Sequence, residues 1–199
     1  MKNIITIQHT QSVHHLTKMV GSWTDWELTE FGCRQAENIG RKLAPELEGK
    51  NVRIYSSDLL RAMQTAEPLA RRIGVEIIKM PELREHGLGE AVGKSSEWAR
   101  ENERPVNTFD DRKFEGAESW REFWRRVGCA MDKILCDDAD YIVVVSHGVT
   151  LSVWQQIWSG LDICPYKYLG HPGGVSFFRV NDDGTRETLL VNDSTYMAD

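Results

Sequence analysis

Apolar residues along the chain fall into two alternating patterns. Short β-branched runs at Ile4–Gln8, Val52–Tyr55, Val75–Lys79 and Tyr141–Val145 predict buried strands. Between them, apolar residues recur at helical spacing. Ala36, Ile39, Leu43 and Leu47 mark a helix from Leu28 to about Leu47. Leu59, Ala62, Ala66 and Leu69 mark a second to Ile73, with Ser57-Asp58 as a cap. Further helices are predicted from Ser119 to about Leu135, carrying Trp120, Trp124, Val127 and Met131, and over Val149–Gly160. Tyr141–Val145 is the strongest strand, five β-formers between Asp140 and Ser146, and reads as central and buried on both faces.

The order β-α-β-α-β predicts an α/β fold. We expect a single domain over residues 1–199, with a mostly parallel central sheet and helices on both faces. Pro172-Gly173-Gly174 reads as a turn. Val175–Val180 and Glu187–Val191, flanking Asp182-Asp183-Gly184, read as a C-terminal hairpin. Residues 80–118 break the rhythm with Gly87, Gly89, Gly93, Pro105 and many charges. They are expected to be loops with one short helix near Ser95–Glu103, an insert or lid over the site.

Composition narrows the classes. The 199 residues are 41% hydrophobic and 27% charged, with a net charge of −6, ordinary for a globular protein. An acidic chain without a basic tract is a poor reader of nucleic acid. No run approaches the roughly 20 apolar residues of a membrane span. Cys33, Cys129, Cys136 and Cys164 lack metal-like spacing and are read as reduced thiols. We expect a cytoplasmic protein, with no membrane or nucleic-acid partner and a homodimer left open.

The chemistry gathers at strand ends. His9 follows the first strand, and His147 follows the central one with Gly148 and a helix after it. Ligand sites of open α/β sheets lie just there, and a helix N-terminus favours an anion. A lone histidine at a strand end is ordinarily a structural residue; the combination is what suggests phosphate chemistry. Arg61 joins them on the first turn of the helix after the second strand, where a guanidinium can grip a phosphoryl group in bidentate fashion.

The motifs, in order, are Gln8-His9-Thr10-Gln11-Ser12, Leu28-Thr29-Glu30-Phe31-Gly32-Cys33-Arg34-Gln35-Ala36, Ser56-Ser57-Asp58-Leu59-Leu60-Arg61-Ala62, Leu83-Arg84-Glu85, Gly116-Ala117-Glu118-Ser119 and Val144-Val145-Ser146-His147-Gly148. Together they resemble the histidine phosphatase superfamily, also called phosphoglycerate-mutase-like. One position departs. Where that family has arginine before the first histidine, this chain has Gln8, and Thr10 replaces the following glycine. Losing a charged donor costs on the order of 1–2 kcal/mol, roughly 5- to 30-fold in rate if felt wholly in the transition state.

The resemblance implies phosphomonoester hydrolysis through a phosphohistidine on His9, without metal or cofactor. Arg61 and a protonated His147 would hold the phosphoryl oxygens. Glu85, its pKa raised by partial burial, would be the general acid, with Glu82 and Glu90 as substitutes. Gln8, Thr10 and His15 would contact the phosphate ester, and His14, His15 or Lys18 would restore positive charge. A solvent-exposed loop is the plainer reading of His14-His15. The expected partner is a small-molecule phosphate ester, since the insert has no basic run for a polyanion. Mutases of the family tend to have a larger insert and a C-terminal tail, which favours a phosphatase here. Two other readings stay open: a degenerate member that binds without turnover, and a mutase. A metal hydrolase built on His9, His14 and His15 is disfavoured by the lack of a carboxylate ligand.

Overall fold

The computed structural model describes residues 1–164 and 170–199. Six strands form one sheet: β1 (Lys2–Gln8), β2 (Val52–Ser56), β3 (Ile77–Lys79), β4 (Tyr141–Ser146), β5 (Val175–Val180) and β6 (Arg186–Asp193). Their order is β3-β2-β4-β1-β5-β6. The first four run parallel, and β5 and β6 complete the sheet antiparallel. β4 therefore lies between two parallel partners, as its unbroken apolar run requires.

The helices are α1 (Val13–Thr17), α2 (Glu30–Leu47), α3 (Leu60–Ile73), α4 (Ser96–Asn102), α5 (Trp120–Leu135) and α6 (Gly148–Trp158). Strand alternation divides the core in two. Ile5, Ile7, Val143 and Val145 pack with Ile39, Leu43, Ala62 and Leu69 of α2 and α3. Ile4, Ile142 and Val144 pack with Phe123, Val127, Met131, Val153 and Trp154 of α5 and α6. Helices thus cover both faces. Trp120 and Trp124 pack at the edge of the second cluster.

Most predicted elements are present, with shifted ends. The third strand starts at Ile77 instead of Val75, because Gly74 ends α3 with φ 70° and the chain must first leave that turn. The hairpin's last strand is longer than expected. The five-residue α1 has too short an apolar pattern to be seen in sequence. The insert holds α4, two 3₁₀ turns and a small apolar cluster of Ala91, Phe114 and Ala117. It is tied to the α1 segment by Val20 N–H to the Lys94 carbonyl and Ser96 N–H to the Lys18 carbonyl, each at 2.8 Å. Among the described residues, no helix is long and apolar enough to cross a membrane.

Candidate active site

Parallel pairing of β1 with β4 places Gln8 beside Ser146. The next residues, His9 and His147, therefore leave the sheet together, and their ring centroids stand 5.1 Å apart. Both rings are buried, at 3% and 0% exposure. Arg61, on the first turn of α3, completes the group and is itself 1% exposed.

Hydrogen bonds fix the His9 tautomer. Nδ1 lies 2.9 Å from the carbonyl oxygen of Thr10, so it carries the proton and donates. Nε2 accepts from Arg61 Nε–H at 3.2 Å. The free lone pair is therefore at Nε2. Burial, with the Arg61 charge adding to it, holds this imidazole well below its usual range and keeps it neutral.

Arg61 is held more tightly than the sequence implies. Nη1 donates to the Thr24 carbonyl and Nη2 to the Ser22 carbonyl, both at 2.8 Å. Its bidentate fork is thus engaged with backbone, leaving one further N–H on each terminal nitrogen. Burial lowers its pKa to about 10. Ser22 adopts φ 39° to present its carbonyl, a conformation L-residues seldom take.

The protonated His147 that the resemblance implies belongs to the site with a phosphoryl group bound; in the free site, burial and the neighbouring Arg61 hold the ring well below its usual range and neutral. Its Nε2 lies 2.8 Å from Ser57 Oγ, and that oxygen also accepts the Leu59 N–H at 3.4 Å. With the Ser57 hydroxyl donating to Nε2, the imidazole proton sits on Nδ1. His147 Nδ1 is buried and has no partner among the described residues. It is a donor awaiting an acceptor.

Two expectations are corrected. Thr10 is wholly buried. Its hydroxyl donates to the Gly32 carbonyl at 2.8 Å, and its N–H meets Thr65 Oγ1 at 3.2 Å. It holds His9 in place and offers nothing to a ligand. The N-terminus of α6 is also not vacant for an anion. Glu85, half-buried, fills it: Oε2 accepts from Val149 N–H at 3.1 Å, and Oε1 accepts from Thr150 N–H at 3.1 Å and His86 N–H at 2.9 Å. Thr150 Oγ1 adds a fourth contact at 3.2 Å. Glu82 instead pairs with Lys133, and Glu90 lies exposed in the insert.

Gln8 points to the opposite face from His9, as alternation dictates. Its amide rests against the start of α6, where a Cβ on Gly148 would lie 3.2 Å from Nε2. It shares this crevice with Thr6, Ser176 and Asn192 and touches neither His9 nor Arg61 by a hydrogen bond. His15 does reach the site: its ring stacks on His9 at 5.4 Å and 8°. Its Nδ1 accepts the Ser12 N–H at 3.1 Å as part of the cap of α1, which leaves the proton on Nε2.

The family model of the histidine phosphatase superfamily (branch 1) matches residues 4–193. The chain belongs to that superfamily. A "Probable phosphoglycerate mutase GpmB" of Yersinia pestis is 27% identical over 170 residues, covering 81% of this chain and 76% of that one. The fold is shared with YhfR of Bacillus stearothermophilus, at TM-score 0.83 and 20% identity over 100% of both chains. It is also shared with the alpha-ribazole phosphatase of Shigella flexneri, at 0.83 and 18% over 96% of each. A mycobacterial glucosyl-3-phosphoglycerate phosphatase aligns at 0.80 and 19%, over 96% of this chain and 99% of that one.

Several members of this candidate site were not legible in sequence. Ser57 follows the second strand directly, and that position was its one visible signal. Ser22 and Thr24 act through carbonyls, which any residue type supplies. Trp23 lies over the Glu85 segment, donating Nε1–H to the Glu85 carbonyl at 2.7 Å. The Arg84 and Arg126 guanidinium carbons stand 5.2 and 5.7 Å from its ring.

Proposed function

We propose that this protein hydrolyses a small phosphomonoester through a covalent phosphohistidine on His9. The observation that carries the reading is the bare Nε2 of His9, freed by the Nδ1–Thr10 bond and addressed by Arg61. In the first step Nε2 attacks phosphorus as the ester P–O bond breaks, and the leaving oxygen takes a proton from Glu85. In the second, water attacks phosphorus, its proton returns to Glu85, and the P–N bond breaks. The remaining N–H groups of Arg61, the unpartnered Nδ1–H of His147 and the Nε2–H of His15 are the donors for the equatorial oxygens. Neutral histidines and one buried guanidinium supply this without a metal.

Among the described residues, Oε2 of Glu85 accepts a single hydrogen bond, from Val149 N–H, so its second lone pair is where the transferred proton is carried. With Gln8 in the family's arginine position, that cation is missing from the phosphoryl group, which makes a slow enzyme. The insert is the lid, and the organic part of the ester rests toward the exposed Trp23, flanked by Arg84 and Arg126.

The test is hydrolysis of an aryl phosphate in excess chelator. Turnover that survives chelation and disappears in His9→Ala supports the reading. Phosphate binding without turnover supports a catalytically silent member. Similarity to a "Probable phosphoglycerate mutase" favours one alternative, a phosphotransferase. Return of the phosphoryl group to a second hydroxyl in preference to water would establish it.

A further inference from the structure

The phosphatase reading uses His9 as nucleophile and His15 as a donor, and leaves His14 without a task. Yet His9, His14 and His15 each bring a ring nitrogen to one place, all three atoms within 4.8 Å of one another. The His14 and His15 centroids are 4.0 Å apart, and those of His9 and His14 are 5.8 Å apart.

The surrounding hydrogen bonds dispose two of these rings as ligands. His9 keeps its proton on Nδ1, against the Thr10 carbonyl, and its lone pair on Nε2. Ser12 Oγ donates to the Glu27 carbonyl at 2.7 Å. It is therefore an acceptor toward His14 Nδ1, 3.1 Å away, and His14 also has its lone pair on Nε2. An outer nitrogen donating to oxygen and an inner nitrogen bare is how metal-ligating histidines are held. A Cβ on Gly21 would lie 2.9 Å from His14 Nε2, so the glycine keeps that edge open. His15 has the reverse tautomer. Being exposed, it can turn over or surrender its cap bond to present a lone pair.

Three imidazoles with a fourth position open suit Zn²⁺, Cu²⁺ or Ni²⁺. The lack of a carboxylate argues against Mg²⁺ and Ca²⁺. Tetrahedral bonding needs the nitrogens about 3.4 Å apart, so the widest-spaced rings must close by up to about 1.4 Å, with His14 and His15 both on one five-residue helix. Arg61, whose Nε is 3.2 Å from His9 Nε2, repels a bare cation, so an anion such as hydroxide must accompany it.

We propose that His9, His14 and His15 bind one divalent transition-metal ion of the zinc, copper and nickel kind, and that the bound ion silences phosphoryl transfer by taking the His9 Nε2 lone pair. The silencing rests on the phosphatase reading; the binding does not. Zn²⁺ is titrated calorimetrically into wild type and His14→Asn, and aryl phosphate hydrolysis is followed with and without chelator. We expect one Zn²⁺ per chain, bound roughly tenfold or more weakly by His14→Asn. Both proteins should hydrolyse the ester in chelator. One equivalent of Zn²⁺ should stop wild type, leave the variant running, and be reversed by chelator. Zinc affinity unchanged by His14→Asn overturns the site. Zinc held through His14 while hydrolysis continues overturns the silencing. Zinc held through His14 by a protein without hydrolysis in chelator supports the site and sinks the phosphatase reading instead.

Discussion

Arg61 donates its Nε–H to Nε2 of His9 across 3.2 Å. The lone pair that would attack phosphorus is thus covered by a cation's N–H in the free site. In the proposed mechanism an arriving phosphoryl group replaces that contact, its oxygen inherits the N–H, and the bond marks where that oxygen would sit. The Ser22 and Thr24 carbonyls prevent the guanidinium from swinging aside.

Arg61→Lys tests whether position or charge matters. Lysine keeps the charge but cannot satisfy both carbonyls and His9 in the same plane. Loss of one preorganised donor is expected to lower kcat about 100-fold or more. A buried carbonyl left without a donor should cost about 1–3 kcal/mol in urea denaturation. Retention of wild-type kcat would show that charge alone suffices.

The buried imidazoles predict a pH dependence of stability. His9 and His147 have native pKa values well below 6.5, chiefly because burial penalises the charged ring. Above that pH both native and unfolded states are neutral and nothing changes. Below it the unfolded chain takes up protons that the native site refuses, so stability falls as pH falls. The limiting slope is about 1.4 kcal/mol per pH unit for each ring. Urea midpoints measured from pH 7 to pH 5 should therefore drop, and the drop should be shallower in His9→Gln. A flat profile through this window would mean that the native rings take up protons as readily as the unfolded chain does.

How far the sequence revealed this site depends on how each contact is made. β4 was visible because five consecutive β-formers have one reading. His9 and His147 were legible as a pair because parallel strands bring their ends to one edge. Arg61 was legible because it opens an amphipathic helix. What it holds was not: Ser22 and Thr24 act through backbone carbonyls 39 and 37 residues away, and no side-chain pattern encodes that. Glu85 was singled out by resemblance, but its seat at the α6 N-terminus joins residues 64 and 65 apart. The neutral state of His147 in the free site was not legible for a related reason, since burial on all sides is a tertiary fact.

Thr10→Val separates holding from binding. The hydroxyl's bonds run to Gly32 and Thr65, inside the protein. Removing it should leave KM for an aryl phosphate unchanged and lower stability by about 1–3 kcal/mol, because the Gly32 carbonyl loses its donor. The His9 tautomer should persist, since Nδ1 is held by the residue 10 carbonyl, which valine retains. A large rise in KM with unchanged stability would return Thr10 to the ligand.

Gln8→Arg asks what the family's arginine position contributes in this chain. The glutamine amide lies beside Gly148, at the turn that carries His147. A guanidinium there would bring positive charge toward the transferred phosphoryl group, where His147 is neutral in the free site. The charge is worth about 1–2 kcal/mol, so kcat should rise roughly 5- to 30-fold if the longer side chain can turn into the site. Stability provides the control. An arginine that stays in the crevice with Thr6, Ser176 and Asn192 would be poorly solvated and lower the urea midpoint without raising kcat. A fall in both would show that the crevice is fitted to glutamine and that the missing charge does not limit the rate.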